Sequence, residues 1–116
     1  MALTFTEPEL QKRLEDYAHL HANRLGYRFK QDAESHFSNL CAAAARGILE
    51  RAETEGKPER TELYAREAEG AVSYYVEGMI AATYTLPGYR EENPNQIGEL
   101  TFWSVHASFC PCWPFC

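Results

Sequence analysis

The sequence predicts an all-α protein: a small antiparallel bundle of three helices, four if the chain coils again after Pro87, carrying an extended Cys- and aromatic-rich C-terminal tail. Three observations predict it. Apolar side chains recur at steps of three and four from Leu10 to Ile80, the repeat of a helix face. Start and stop residues (Thr6-Glu7-Pro8-Glu9, Gly26, Gly56-Lys57-Pro58 and Leu86-Pro87-Gly88) cut that stretch into three segments. Finally, every Asp, Glu, Lys and Arg falls within residues 1–99, so residues 100–116 form an uncharged tail. The expected organisation is a helical body over residues 1–86, a linker over 87–99 and the tail over 100–116.

The first helix opens on a capping box, with the Thr6 hydroxyl at the N-cap, Glu9 three residues on and Pro8 in the first turn. Phe5 is placed to pack back as a staple. Leu10, Leu14, Tyr17, His21 and Leu25 give its apolar stripe, and Gly26 suits the left-handed residue that ends a helix. The second helix begins between Phe29 and Asp32, and its stripe is Ala33, Phe37, Leu40, Cys41, Ala44, Ile48, Leu49 and Ala52. Alanines 42–45 favour helix and leave a narrow surface for a close neighbour. Gly56 ends it and Pro58 starts the third helix. There the stripe is Tyr64, Ala68, Ala71, Val72, Tyr75, Val76, Met79 and Ile80, opposite Arg66, Gly70, Ser73 and Glu77. Gly70 and Gly78 each cost about 1 kcal/mol relative to Ala inside a helix, which points to close packing of the helices or to a break beside them. Residues 87–98 are rich in breakers and polar side chains and read as a tether.

From Leu100 to Phe109 the alternation reads as a strand that wants cover on both faces. Pro111 and Pro114 then forbid helix and remove two backbone donors. A lone strand is marginal, so the tail must lie on the body, pair with another chain or await a partner. Its aromatic side chains Phe102, Trp103, Phe109, Trp113 and Phe115 are the candidate docking residues, because each removes on the order of 150 Å² from water when buried.

Composition excludes several functions. A chain of 116 residues that is 45% apolar and 24% charged can bury a core. Its net charge of −6 argues against nucleic acid, where Lys and Arg supply most of the affinity. No apolar run reaches the roughly 20 residues of a spanning helix, and the acidic body without a polybasic segment disfavours a membrane. Residues 1–7 show no basic n-region or apolar h-region, so a cytoplasmic chain is expected. There is no phosphate loop, G-x-G-x-x-G, G-x-S-x-G or H-E-x-x-H, and no catalytic residues or enzyme activity are expected. Asp16 with His19, and Asp32 with His36, read as solvated pairs.

The chemistry lies in the tail, where three of the four cysteines fall in the last seven residues. His106, Cys110, Cys112 and Cys116 are four soft donors in the pattern H-x3-C-x-C-x3-C, enough for zinc or copper, although the spacing is not that of a finger or ribbon. A ring between Cys116 and Cys110 or Cys112 would be short and labile. Cys41 lies on the apolar stripe and reads as a small buried hydrophobe.

Helices first, then a tether, then a short terminus of thiols, hydroxyls and indoles: in layout the chain resembles precursors of ribosomally synthesised and post-translationally modified peptides. The resemblance implies a leader over residues 1–86 that binds a modifying enzyme, and a core over 101–116. Cys110, Cys112, Cys116, Trp103, Trp113, Ser104 and Ser108 are then the candidates for modification, and no cofactor is required. The sequence carries no double-glycine cleavage site. Ser108-Phe109-Cys110-Pro111-Cys112-Trp113-Pro114 is also similar to the metal claw of nitrile hydratase alpha subunits, C-[TS]-L-C-S-C-Y-P. Of its three cysteines only two are matched, by Cys110 and Cys112. Ala107 stands at the first cysteine position and Pro111 has no amide proton, so nitrile hydration is not expected.

The leading expectation is therefore a non-catalytic helical carrier whose C-terminal peptide a partner enzyme modifies. The alternatives are a metal- or thiol-responsive binding protein using the His/Cys cluster, and a partner-binding module or homo-oligomer with an apolar docking tail.

Overall fold

A computed structural model describes residues 5–84, 98–109 and 113. They are mostly helical, with four α-helices and a two-stranded parallel sheet. The order is α1 (Glu7–Arg24), β1 (Tyr27–Phe29), α2 (Gln31–Thr54), a 3-10 turn (Pro58–Arg60), α3 (Thr61–Tyr84), β2 (Gly98–Leu100) and α4 (Phe102–Ser108). No helix among the described residues is long and apolar enough to cross a membrane.

α1 starts where its cap requires. The Thr6 hydroxyl accepts the Glu9 N–H at 3.3 Å, and Glu7 and Glu9 complement the positive end of the helix dipole. Gly26, at φ +84°, ends it; Gly56, at φ +66°, ends α2. In that second stop the Lys57 N–H reaches Ala52 O and the Gly56 N–H reaches Glu53 O, both at 3.0 Å, the paired bonds of a Schellman turn.

Burial follows the helical repeat. α2 buries Ala33, Phe37, Cys41, Ala44, Ala45, Ile48 and Ala52, and α3 buries Tyr64, Ala65, Ala68, Val72, Tyr75, Val76 and Met79 along with Thr61 and Thr83. In α1 the buried line is Leu10, Leu14, Ala18 and Ala22, one residue every four. The expected line through Tyr17, His21 and Leu25 is thus displaced: Tyr17 and His21 are half-buried and Leu25 is exposed. The narrow Ala18 and Ala22 take the inner positions instead.

Polar pairs fix how the long helices run. Between α1 and α2, Glu7 meets Arg46 and Gln11 meets Ser38, so residue number rises on one helix as it falls on the other. Between α1 and α3, Arg13 meets Glu62 and Glu69, and Tyr17 meets Ser73, so both numbers rise together.

Glu62 stands between two guanidinium groups, Arg13 at 2.7 and 3.0 Å and Arg66 at 3.1 Å. The Arg13 hydrogen bonds hold its carboxyl down at about 2, against burial, with Arg66 adding to the effect. A depressed folded-state value means that the stabilisation is complete above the ordinary value near 4.5 and is lost as pH falls toward 2. Glu62→Gln should flatten the pH dependence of urea unfolding in that window, modestly because the pair is partly solvated.

Gly70 is exposed within α3, and a methyl group added there would meet nothing within 4 Å. Close packing does not explain it. Gly70→Ala should therefore raise stability by about 0.5–1 kcal/mol, read from thermal melts. Gly78 differs, since an added Cβ would lie 3.7 Å from Ser108 Oγ on α4, an ordinary contact.

Two expectations about the C-terminal part are corrected. Residues 102–108 are helical rather than extended. Thr101 caps α4, its hydroxyl accepting the Ser104 N–H at 3.3 Å, and adjacent Ser104 and Val105 turn inward while Phe102 and Trp103 face out. A strand cannot bury two successive residues on one face. The end of the expected linker is also ordered structure, because Gly98 and Glu99 belong to β2. β1 and β2 pair in the register Tyr27↔Gly98, Arg28↔Glu99, Phe29↔Leu100, with further bonds of 2.9 Å from Gly98 N to Gly26 O and from Lys30 N to Leu100 O. A parallel pair needs a long crossover, and α2 and α3 lie within this one. The remaining stretch of the expected linker, residues 87–97, lies outside the described residues.

Candidate functional site: the docked C-terminal segment

The segment following β2 packs between α2 and α3. Leu100 and Val105 are fully buried, and so is Ser104. The Thr83 hydroxyl donates to Met79 O at 2.9 Å, so the 2.7 Å contact between Thr83 and Ser104 must use a Ser104 proton. Thr101, 3.1 Å from Ser104 Oγ, then donates to Ser104. The result is a directed chain, Thr101 to Ser104 to Thr83 to the Met79 carbonyl, in which each buried hydroxyl is satisfied. It ties α4 to the last turn of α3.

An aromatic cluster ties the other end. Phe109 stacks on Tyr75 with ring centres 4.5 Å apart and meets Phe37 at 5.8 Å. Trp113 stands edge-on to Tyr75 at 5.4 Å and to Phe109 at 5.1 Å. Its indole N–H donates to the Leu40 carbonyl of α2 at 3.0 Å, and only 9% of the residue stays exposed. Phe37 also touches Phe29 of β1 at 5.1 Å, so one α2 side chain joins sheet and tail.

The candidate residues separate accordingly. Phe109 and Trp113, read as docking residues, dock within the chain. Phe102 and Trp103 remain about half exposed. Ser104 is fully buried with its hydroxyl bonded to Thr83 of α3, and Ser108 is half-buried with its hydroxyl donating to Ser104 O at 2.8 Å. His106 is exposed and lies beside His36 of α2, with ring centres 5.8 Å apart. Cys110, Cys112, Cys116 and Phe115 lie outside the described residues.

Sequence reasoning missed His36. It lies against Phe102 at 4.5 Å as well as His106, and burial pushes its pKa below the ordinary histidine value, with His106 adding to the effect. The available signal was its place one helical turn before Leu40, on the same side of α2 that receives the tail. Asp32, expected to pair with it, instead accepts the N–H of Ala33 at 2.7 Å.

Cys41 is fully buried as expected, and burial pushes its thiol far up, away from the reactive thiolate. Among the described residues no group of three or more His, Cys, Asp or Glu side chains is arranged to hold a metal. Comparison with protein-family models, curated proteins and solved structures returns no match to this chain.

Proposed function

We propose that the chain is a non-catalytic carrier in which a small antiparallel helical bundle presents a cysteine-bearing C-terminal peptide to a modifying enzyme. The observation that carries the reading is the anchoring of Trp113 on the Leu40 carbonyl and between the rings of Tyr75 and Phe109. All three tail cysteines lie within three residues of Trp113 in the sequence. An anchored tryptophan gives a partner a pre-organised point of approach beside those thiols in the sequence.

This narrows the expected core. Ser104 offers no accessible hydroxyl, and modifying it would require undocking α4. The modified region is therefore residues 110–116. Intact and fragment masses of the natively produced chain test the reading. A mass change confined to residues 110–116, absent when Cys110, Cys112 and Cys116 are replaced by serine, is expected; an unchanged native mass refutes it.

A second reading is a metal- or thiol-responsive binding protein using zinc or copper on His106, Cys110, Cys112 and Cys116. One observation favours it: His106 is exposed on α4 four residues before Cys110. Stoichiometric metal in an unmodified chain that is lost with those serine substitutions is its expected result.

A further inference from the structure

We infer that His36 and His106 form a two-imidazole site for a borderline divalent cation of the Zn²⁺ or Ni²⁺ kind, which clamps α4 to α2. The inference goes beyond the carrier reading and gives His106 a partner on the body instead of in the tail.

The rings themselves carry it. Metal–imidazole bonds of about 2.0–2.1 Å place two ring centres roughly 5 Å apart on a tetrahedral ion and up to about 6.4 Å apart as the angle opens. The observed separation is 5.8 Å, with the planes inclined by 41°. Phe102 restrains both rings, 4.5 Å from His36 and stacked within 8° of His106 at 5.8 Å.

The ligands stand on independently fixed elements. His36 lies on α2, a helix of 24 residues, and His106 lies on α4, held by buried Ser104 and Val105. Neither imidazole is sealed from solvent, since His36 is half-buried and His106 exposed. Water supplies the remaining coordination positions. Imidazole donors suit zinc, nickel and copper over magnesium or calcium.

The full chain with Cys110, Cys112 and Cys116 replaced by serine removes the competing thiols, and Ni²⁺ is the probe. One Ni²⁺ per chain and a Ni²⁺-dependent rise in melting temperature are expected. His36→Phe and His106→Phe keep a ring against Phe102 and should each weaken binding at least tenfold and abolish the rise. His19→Gln should change neither. Metal-free melting curves establish that each variant is folded, and His36→Asn replaces the phenylalanine variant if that one is not. Undiminished binding by the folded His36 variant overturns the inference, as does absence of Ni²⁺ binding once the thiols are gone.

Discussion

Phe37→Ala is expected to cost about 3–5 kcal/mol, the range for removing a buried phenylalanine ring. Phe37 is 1% exposed and touches Phe29 of β1 and Phe109 of the tail. Its removal opens a void between three elements that no single side chain can fill, because each is fixed by other contacts. Global stability of a domain this size is about 5–15 kcal/mol, so the loss is a large share of it. Urea unfolding should show the midpoint falling, and thermal melts should fall by roughly 10–25 °C. Phe37→Leu should recover more than half of the loss, because much of the volume returns. A loss below 1 kcal/mol for the alanine variant would mean that sheet, α2 and tail do not share one core.

Trp113→Ala is the second large effect, and it differs in kind. It removes a nearly buried indole with two ring contacts and one hydrogen bond, about 3 kcal/mol of packing and bonding before the end of the chain relaxes. Trp113→Phe separates the contributions: the ring contacts largely survive while the bond to Leu40 O is lost, at about 1 kcal/mol. The Leu40 carbonyl lies within α2, so it is not left orphaned by either change. Trp113 lies at the edge of the core, 9% exposed where Leu14, Ile48 and Val72 are 0%, so the helical body is expected to stay folded in both variants. Limited proteolysis should therefore cleave the alanine variant early around residues 109–116 and leave a stable helical fragment. The phenylalanine variant should be intermediate. Cleavage at the parent rate in Trp113→Ala would show that the indole anchors nothing.

The helical body was open to reading because its signals are local. The Thr6 cap, the two glycine stops at positive φ and the three-and-four spacing each act within a turn or two of the residues that carry them. In α1 the same spacing misled, because large Tyr17, His21 and Leu25 outweigh alanine in any count of apolar side chains. Ala18 and Ala22 are fully buried all the same, an outcome of how the helices pack that no periodicity encodes.

The C-terminal segment was harder for physical reasons. β1 and β2 are three residues each and lie about 70 apart in the chain, so their pairing is decided by where α2 and α3 deliver β2. α4 places Phe102 and Trp103 outward and Ser104 inward, the reverse of what hydropathy alone predicts. Ser104 is paid for by hydroxyl partners on Thr83 and Thr101, and Thr83 is distant in sequence. The cap at Thr101 was readable, being a hydroxyl three residues before Ser104, but the alternating aromatics obscured it. The same non-local packing brings His36 to His106, which explains why the two histidines, 70 residues apart, read as unrelated.

Both the carrier reading and the metal clamp depend on α4 and Trp113 belonging to the folded body. Native-state hydrogen exchange of the full chain, read on peptides spanning residues 98–109, tests this most directly. Protection of the Val105 amide, which donates to Thr101 O at 3.1 Å, should approach that of α2 and fall selectively in Trp113→Ala. Exchange of that amide at the rate of an unstructured peptide, with α2 still protected, would contradict the account.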